Sequence, residues 1–334
     1  MFRIRHRSVV FLILALTACS AQRPLSRPAK AQDARVFELR DGVIIDTGSN
    51  LAYLMNTKGG IDAIELAKGT NVWSTDLAAK PLALIGNLLI CQAEPQRLPN
   101  ELKIVALNVF ERLQPVFNDS INLPDGVQVS IDQMINSWFM TYARVYDGDV
   151  LVSWEYSFHA IKGEASLDSI PDSQPSLTPT SELPRTIKGT VRIDISSRTV
   201  ISVKAEEVPI GLVRRPPDLD ERERLSGVKG QQFIAADSGH VLNSERVADD
   251  RVWNKHRWTI YDRSSSKQIA EIRNYQSYAP FVILGSKIIY ESNPYFRRGL
   301  GHEPLKIRAV DLQTGQELWG WEIRDTAYRG PYFP

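Results

Sequence analysis

The sequence predicts an all-β fold assembled from repeated antiparallel units, and three observations predict it. Two stretches recur without gaps, short turn-forming segments punctuate them, and the runs between the turns are dense in β-branched and apolar residues. One recurrence aligns Ile61–Trp73 with Ile307–Trp319, and the other aligns Pro81–Ile90 with Pro280–Ile289.

Taken in chain order, five repeats can be placed. The first (36–77) joins a unit centred on Gly48 to Ile61–Trp73, and the second (80–123) joins Pro81–Ile90 to Ile104–Val109. The third (127–207) contains a Gly148-centred unit and Val191–Ile195, and the fourth (231–276) a Gly239-centred unit and Thr259–Asp262 followed by three serines. The fifth (278–326) joins Pro280–Ile289 to Ile307–Trp319. In every repeat the second unit places Glu65, Asn108, Asp194, Asp262 or Asp311 at one equivalent position. A short acceptor side chain there can bond nearby backbone N–H groups, and a following glycine can take φ > 0, so each unit reads as strand, tight turn, strand. Two hairpins per repeat make four strands. Several runs are apolar on successive residues, as in sheets covered on both faces. Radial repetition of such sheets makes a β-propeller, with five recognisable blades and a length that accommodates up to seven. A solenoid or a sandwich is the alternative arrangement of the same strands.

Around these repeats the chain divides into three parts. Arg3, Arg5, His6 and Arg7 precede the apolar run Val9–Leu16, which is shorter than the roughly 20 residues that a membrane-crossing helix needs. The expected organisation is a signal peptide at 1–18, a lipidated Cys19 with a flexible tether at 19–34, and the repeat domain at 35–334. Polar loops are expected near 162–188 and 211–229, where Ser, Pro and charged residues replace the strand pattern. Cys91 lies within an apolar stretch and reads as a small core residue.

Leu16-Thr17-Ala18-Cys19 resembles the lipobox of bacterial lipoproteins, which implies acylation of Cys19 and a cell-envelope location. Ser20 implies the outer membrane if the host is Gram-negative. Ala309, Asp311, Gly315 and Trp319 resemble the PQQ-type propeller repeat of the quinoprotein alcohol dehydrogenases; the copy at Ala63, Gly69 and Trp73 departs from it at Glu65 and Lys68. The repeat implies a structural device, not a cofactor site, and no cofactor is expected. The chain also lacks the vicinal cysteine pair of the quinone enzymes.

Charge excludes one class of partner. The chain carries 40 basic and 39 acidic side chains, and removal of residues 1–18 takes three arginines with it. No basic field is left to neutralise phosphates, so nucleic acid is not an expected partner. Catalytic patterns are equally sparse. His302-Glu303-Pro304 does not continue into a zinc motif, and no Gly-x-Ser-x-Gly elbow occurs. His159, His240 and His256 could share one end of the repeats, but scattered histidines are more often packed or surface residues, and no catalytic or metal residue is assigned. Tyr295, Phe296, Arg297 and Arg298 combine aromatic rings with guanidinium groups between proline and glycine, a composition suited to partner contact. The expected function is a non-enzymatic envelope lipoprotein that binds another envelope protein through its propeller. It resembles in this the propeller lipoprotein of the outer-membrane β-barrel assembly machinery. The alternative is a central funnel that binds or hydrolyses a sugar, peptide or metal ligand; a quinone-dependent dehydrogenase comes last.

Overall fold

The computed structural model describes residues 35–95, 100–110, 115–134, 137–158, 185–204, 224–250, 253–292 and 304–326. The expected signal peptide and tether, and most of the two expected polar loops, lie outside the described residues. Among the described residues no helix is long and apolar enough to cross a membrane.

Each repeat forms one antiparallel sheet of consecutive strands. The first sheet has five strands, β1 (Val36–Arg40), β2 (Val43–Asp46), β3 (Leu51–Met55), β4 (Ile61–Glu65) and β5 (Asn71–Thr75). The second runs β6 (Lys80–Ile85), β7 (Leu88–Gln92), β8 (Glu101–Asn108) and β9 (Pro115–Asn122). The third runs β10 (Ser137–Tyr146), β11 (Asp149–Phe158), β12 (Arg185–Asp194) and β13 (Thr199–Val203). The fourth runs β14 (Gln231–Ile234), β15 (His240–Asp250), β16 (Trp253–Asp262) and β17 (Gln268–Asn274). The fifth runs β18 (Phe281–Leu284), β19 (Lys287–Ser292), β20 (Lys306–Asp311) and β21 (Glu317–Glu322).

The turn acceptors act as their chemistry requires. Asp311 Oδ1 accepts from the backbone N of Gln313 (2.9 Å) and of Thr314 (2.8 Å), and Asp262 Oδ1 accepts from Ser265 N at 2.7 Å. Donors that stabilise the charged carboxylate hold Asp262 down at about 2 and also lower Asp311.

Packing between sheets corrects the expected propeller. Apolar clusters join the second sheet to the third, the first to the second, the first to the fifth, and the fifth to the fourth. No cluster joins the third to the fourth among the described residues, so the five sheets form an open row and not a closed ring. The physical reason lies in the two end sheets. The first sheet is apolar on both faces: Ile44, Tyr53 and Ile61 meet the second sheet, while Ile45, Ala52 and Leu54 meet the fifth. In the third sheet Val150, Val152, Trp154 and Tyr156 face the second, but the other face pairs Glu155 with Lys188 and Ser153 with Thr190. The fourth sheet likewise buries Leu242, Trp258 and Ile260, and sets Glu245 opposite Arg257 on its far face. Successive apolar residues, the signal for a sheet covered twice, hold for the first, second and fifth repeats; in the third and fourth they are limited to short runs such as Val150–Val152 and Val241–Leu242, and the rest of the outer face is polar.

Side-chain donors bridge the junction of the first and fifth sheets. Trp319 Nε1 donates to Leu66 O at 3.1 Å, Trp321 Nε1 to Asp62 Oδ2 at 3.2 Å, and Lys287 Nζ to Ala67 O at 3.3 Å. Gly69 permits this approach: its φ is +69°, and a Cβ there would lie 2.4 Å from Trp319 Cγ. Gly315 has the same φ with nothing within 4 Å. Gly315→Ala is therefore expected to cost about 1 kcal/mol, the left-handed strain alone, and Gly69→Ala about 3 kcal/mol because overpacking adds to it. Urea denaturation of the two variants checks this; equal losses would remove the indole from the explanation.

Candidate functional site

Strand register builds a polar corner on the second sheet. On β8 and β9 the pairs Lys103–Ser120 and Val105–Asn118 share a face with Glu101. Val105 packs against the first sheet, but toward the strand ends the apolar side chains stop and polar ones continue the same face. The result is a cleft of about 460 Å³ lined by Ala93, Glu94, Pro95, Glu101, Lys103, Asn118, Asp119 and Ser120. Glu94, Glu101 and Lys103 supply its charged side chains, whereas Asp119, opposite Ile104 in register, turns its carboxylate toward the third sheet.

Internal bonds occupy part of this set. Ser120 Oγ donates to Glu101 Oε1 at 2.6 Å, and Asp119 Oδ2 accepts Val200 N of the third sheet at 2.7 Å. Glu94 is held from outside the cleft. Arg324 Nη1 donates to its Oε2 at 2.7 Å and Nη2 to its Oε1 at 3.0 Å, while Arg324 Nε reaches Asp132 Oδ1 at 2.9 Å. These bonds, with Glu94 contributing most, push the guanidinium further above its already high range.

A second polar constellation is buried where three sheets meet. Lys80 Nζ, on a side chain only 3 % exposed, bonds Asp41 Oδ1 at 2.7 Å and Thr141 Oγ1 at 2.8 Å. Thr141 Oγ1 also donates to Gln92 Oε1 at 3.3 Å. Asp41 belongs to the β1–β2 turn, Lys80 and Gln92 to the second sheet and Thr141 to the third, so the constellation ties the sheets together. Of its members only the Asp41 carboxylate, 32 % exposed, reaches solvent.

The residues singled out from sequence are placed apart from both constellations. Ala63 and Ala309 lie directly opposite Trp73 and Trp319 in strand register, a small residue facing each indole. Trp319 is 8 % exposed, whereas Trp73 is only half-buried and leans on Tyr53 at 5.7 Å between ring centroids. Asp311 and Gly315 shape the last turn, as described above. Cys91 is fully buried, and burial pushes its thiol up. Cys19, Tyr295, Phe296, Arg297, Arg298, His159 and His302 lie outside the described residues. His240 and His256 are separated along the β15–β16 ladder, His240 opposite Asp262 and His256 opposite Arg246. Six residues of strand, about 20 Å, keep them from one site. Among the described residues no group of three or more His, Cys, Asp or Glu side chains is placed to hold a metal.

These two histidines do predict a pH response. The Asp237 hydrogen bond at 2.9 Å raises His240, against the opposing effect of burial, whereas burial and then Arg246 lower His256. A raised histidine contributes stability below its unfolded value near 6.5, lost as pH rises through the folded pKa. A lowered one contributes above that value, lost as pH falls. His240→Gln is expected to flatten the alkaline limb of stability against pH and His256→Gln the acidic limb, as read from midpoints in urea; a shared effect on one limb would refute the assignment.

Sequence reasoning missed Lys80, Glu94 and Arg324. A lysine opening a wholly apolar strand was a usable signal for Lys80; Arg324 and Glu94 lie at strand ends, where no periodicity marks them.

No family model matches the chain, and neither does any curated protein. Among solved structures, the chain is similar to the AtxE2 isopeptidase in its apo form, with 11 % identity, 86 % of this chain and 51 % of that one covered, and a TM-score of 0.38. It is similar also to the Dos1 propeller, with 8 % identity, 84 % and 56 % covered and a TM-score of 0.25. A third is a europium-containing methanol dehydrogenase, with 11 % identity, 82 % and 67 % covered and a TM-score of 0.21. The chain thus spans about half to two thirds of their lengths. Superpositions this loose carry no functional argument. The open row of sheets overturns the identification as a bacterial lipoprotein with a PQQ-type propeller domain: the repeat resemblance is confined to the β4–β5 and β20–β21 hairpins, and the described sheets do not close. The propeller scaffold falls with it, and so does the ligand-binding or hydrolytic funnel, because an open row encloses no funnel.

Proposed function

We propose that the chain is a binding protein whose cleft at the corner of the second sheet takes a small organic cation bearing an amine or guanidinium group. One observation carries the reading: the Glu94 and Glu101 side chains line a single cleft beside Lys103, with Arg324 bound to Glu94 from outside it. A ligand ammonium would meet carboxylates already oriented by Ser120 and Arg324, so little ordering cost is left for binding. Such attraction between partly exposed charges is screened by salt. Calorimetric titration with spermidine and with arginine amide tests it. Saturable binding that weakens with salt, and that falls about tenfold in Glu101→Gln, is expected; absence of saturable binding by either probe would sink the reading.

The membrane attachment expected at Cys19, and with it the envelope location and an envelope partner, we carry forward as a proposal resting on the sequence alone. Intact mass of the membrane-extracted chain against Cys19→Ser tests it: an acyl mass lost in the variant supports attachment, and an unmodified thiol in both refutes it.

A further inference from the structure

Arg324 lies just beyond β21, in a segment bonded to three separate parts of the chain. Ile323 N donates to Leu305 O at 3.0 Å, Arg324 N to Met55 O at 3.1 Å, and Gln133 N to Thr326 O at 2.7 Å. The guanidinium spends one edge on both oxygens of Glu94 and the other on Asp132. The side chain of Arg324 is 16 % exposed, whereas those of Glu94 and Asp132 are about half exposed, so the cation is the fixed member of the trio. Glu94 is the one member that also lines the cleft.

We propose that Arg324 is a positioning residue for the cleft: its fork fixes the plane of the Glu94 carboxylate, and Asp132 fixes the fork. The inference rests on the cation-binding reading above and adds that affinity depends on a residue lining no part of the cleft. Each carboxylate oxygen keeps a further lone pair for a ligand N–H after accepting from the guanidinium. A free Glu94 on an exposed strand end would have to be ordered by the ligand itself, at a cost in affinity.

Two effects of Arg324 oppose each other, and they separate experimentally. Its positive charge alone disfavours a cationic ligand, so a purely electrostatic role makes Arg324→Gln bind more tightly and leaves Arg324→Lys unchanged. Positioning makes both variants weaker, because neither glutamine nor lysine reproduces a planar two-edged fork. The experiment is spermidine titration of the full chain at a temperature where near-ultraviolet circular dichroism shows each variant folded. Affinity is expected to fall roughly fivefold in Arg324→Lys and Arg324→Gln, and the Arg324→Lys loss to vanish in a Glu94→Gln background. Unchanged binding by Arg324→Lys, tighter binding by Arg324→Gln, or an equal loss with and without Glu94 each overturns the proposal. Wild-type protein that binds no amine overturns the cleft reading and this inference with it, whereas wild-type binding indifferent to Arg324 overturns this inference alone.

Discussion

Asp41→Asn is expected to lower the unfolding free energy by about 3 kcal/mol. The variant leaves the Lys80 ammonium on a side chain 3 % exposed, with the Thr141 hydroxyl and a neutral amide in place of its counter-ion. Burying a charge is tolerable only while a paired charge and hydrogen bonds offset its lost hydration. The double variant Lys80→Met, Asp41→Asn removes both charges and is expected to recover most of the loss, since an apolar side chain of similar length suits the site as well as the pair does. Urea denaturation of wild type and both variants decides it. A single variant within about 1 kcal/mol of wild type would mean that water reaches Lys80 and the pair is not a buried one.

Trp319→Ala is expected to cost about 4 kcal/mol and Trp73→Ala no more than about 2 kcal/mol, although the two occupy equivalent positions of the repeat. Trp319 fills the contact between the fifth and first sheets and donates its indole N–H to Leu66 O, so truncation leaves a cavity and removes the shorter of two bonds to that carbonyl, Lys287 Nζ at 3.4 Å being the other. Trp73 sits at the centre of a largely exposed strand and packs, tilted, on Tyr53, whose burial holds its hydroxyl at about 12. Midpoints in urea and the slopes of the transitions measure both losses. Equal losses would show that the half-exposed position of Trp73 is not the one it occupies in solution.

Local chemistry was readable from the sequence and longer-range chemistry was not. Asp311, Asp262 and Asp194 shape their turns through bonds to residues two and three positions on, which is information any single repeat contains. Glu94 meets Arg324 across 230 residues, and Lys80 meets Thr141 across 61. Neither spacing has a period or a motif, because side chains from different sheets converge only when the sheets pack. Trp73 and Trp319 make the same point from the other side: similar local pattern, different neighbours.

By itself the sequence determined the all-β character, the five repeats and the turn residues that close their hairpins, because hydrogen bonds two to five residues apart and period-two burial are local properties of the chain. Only the tertiary structure decided that the sheets form an open row, which faces stay polar, and where the cleft and the Lys80 constellation lie. Those outcomes depend on side chains of distant strands competing for the same apolar surface. A face such as that of Glu155 and Lys188, already satisfied by its own cross-strand pair and by water, offers the neighbouring sheet no surface to bury.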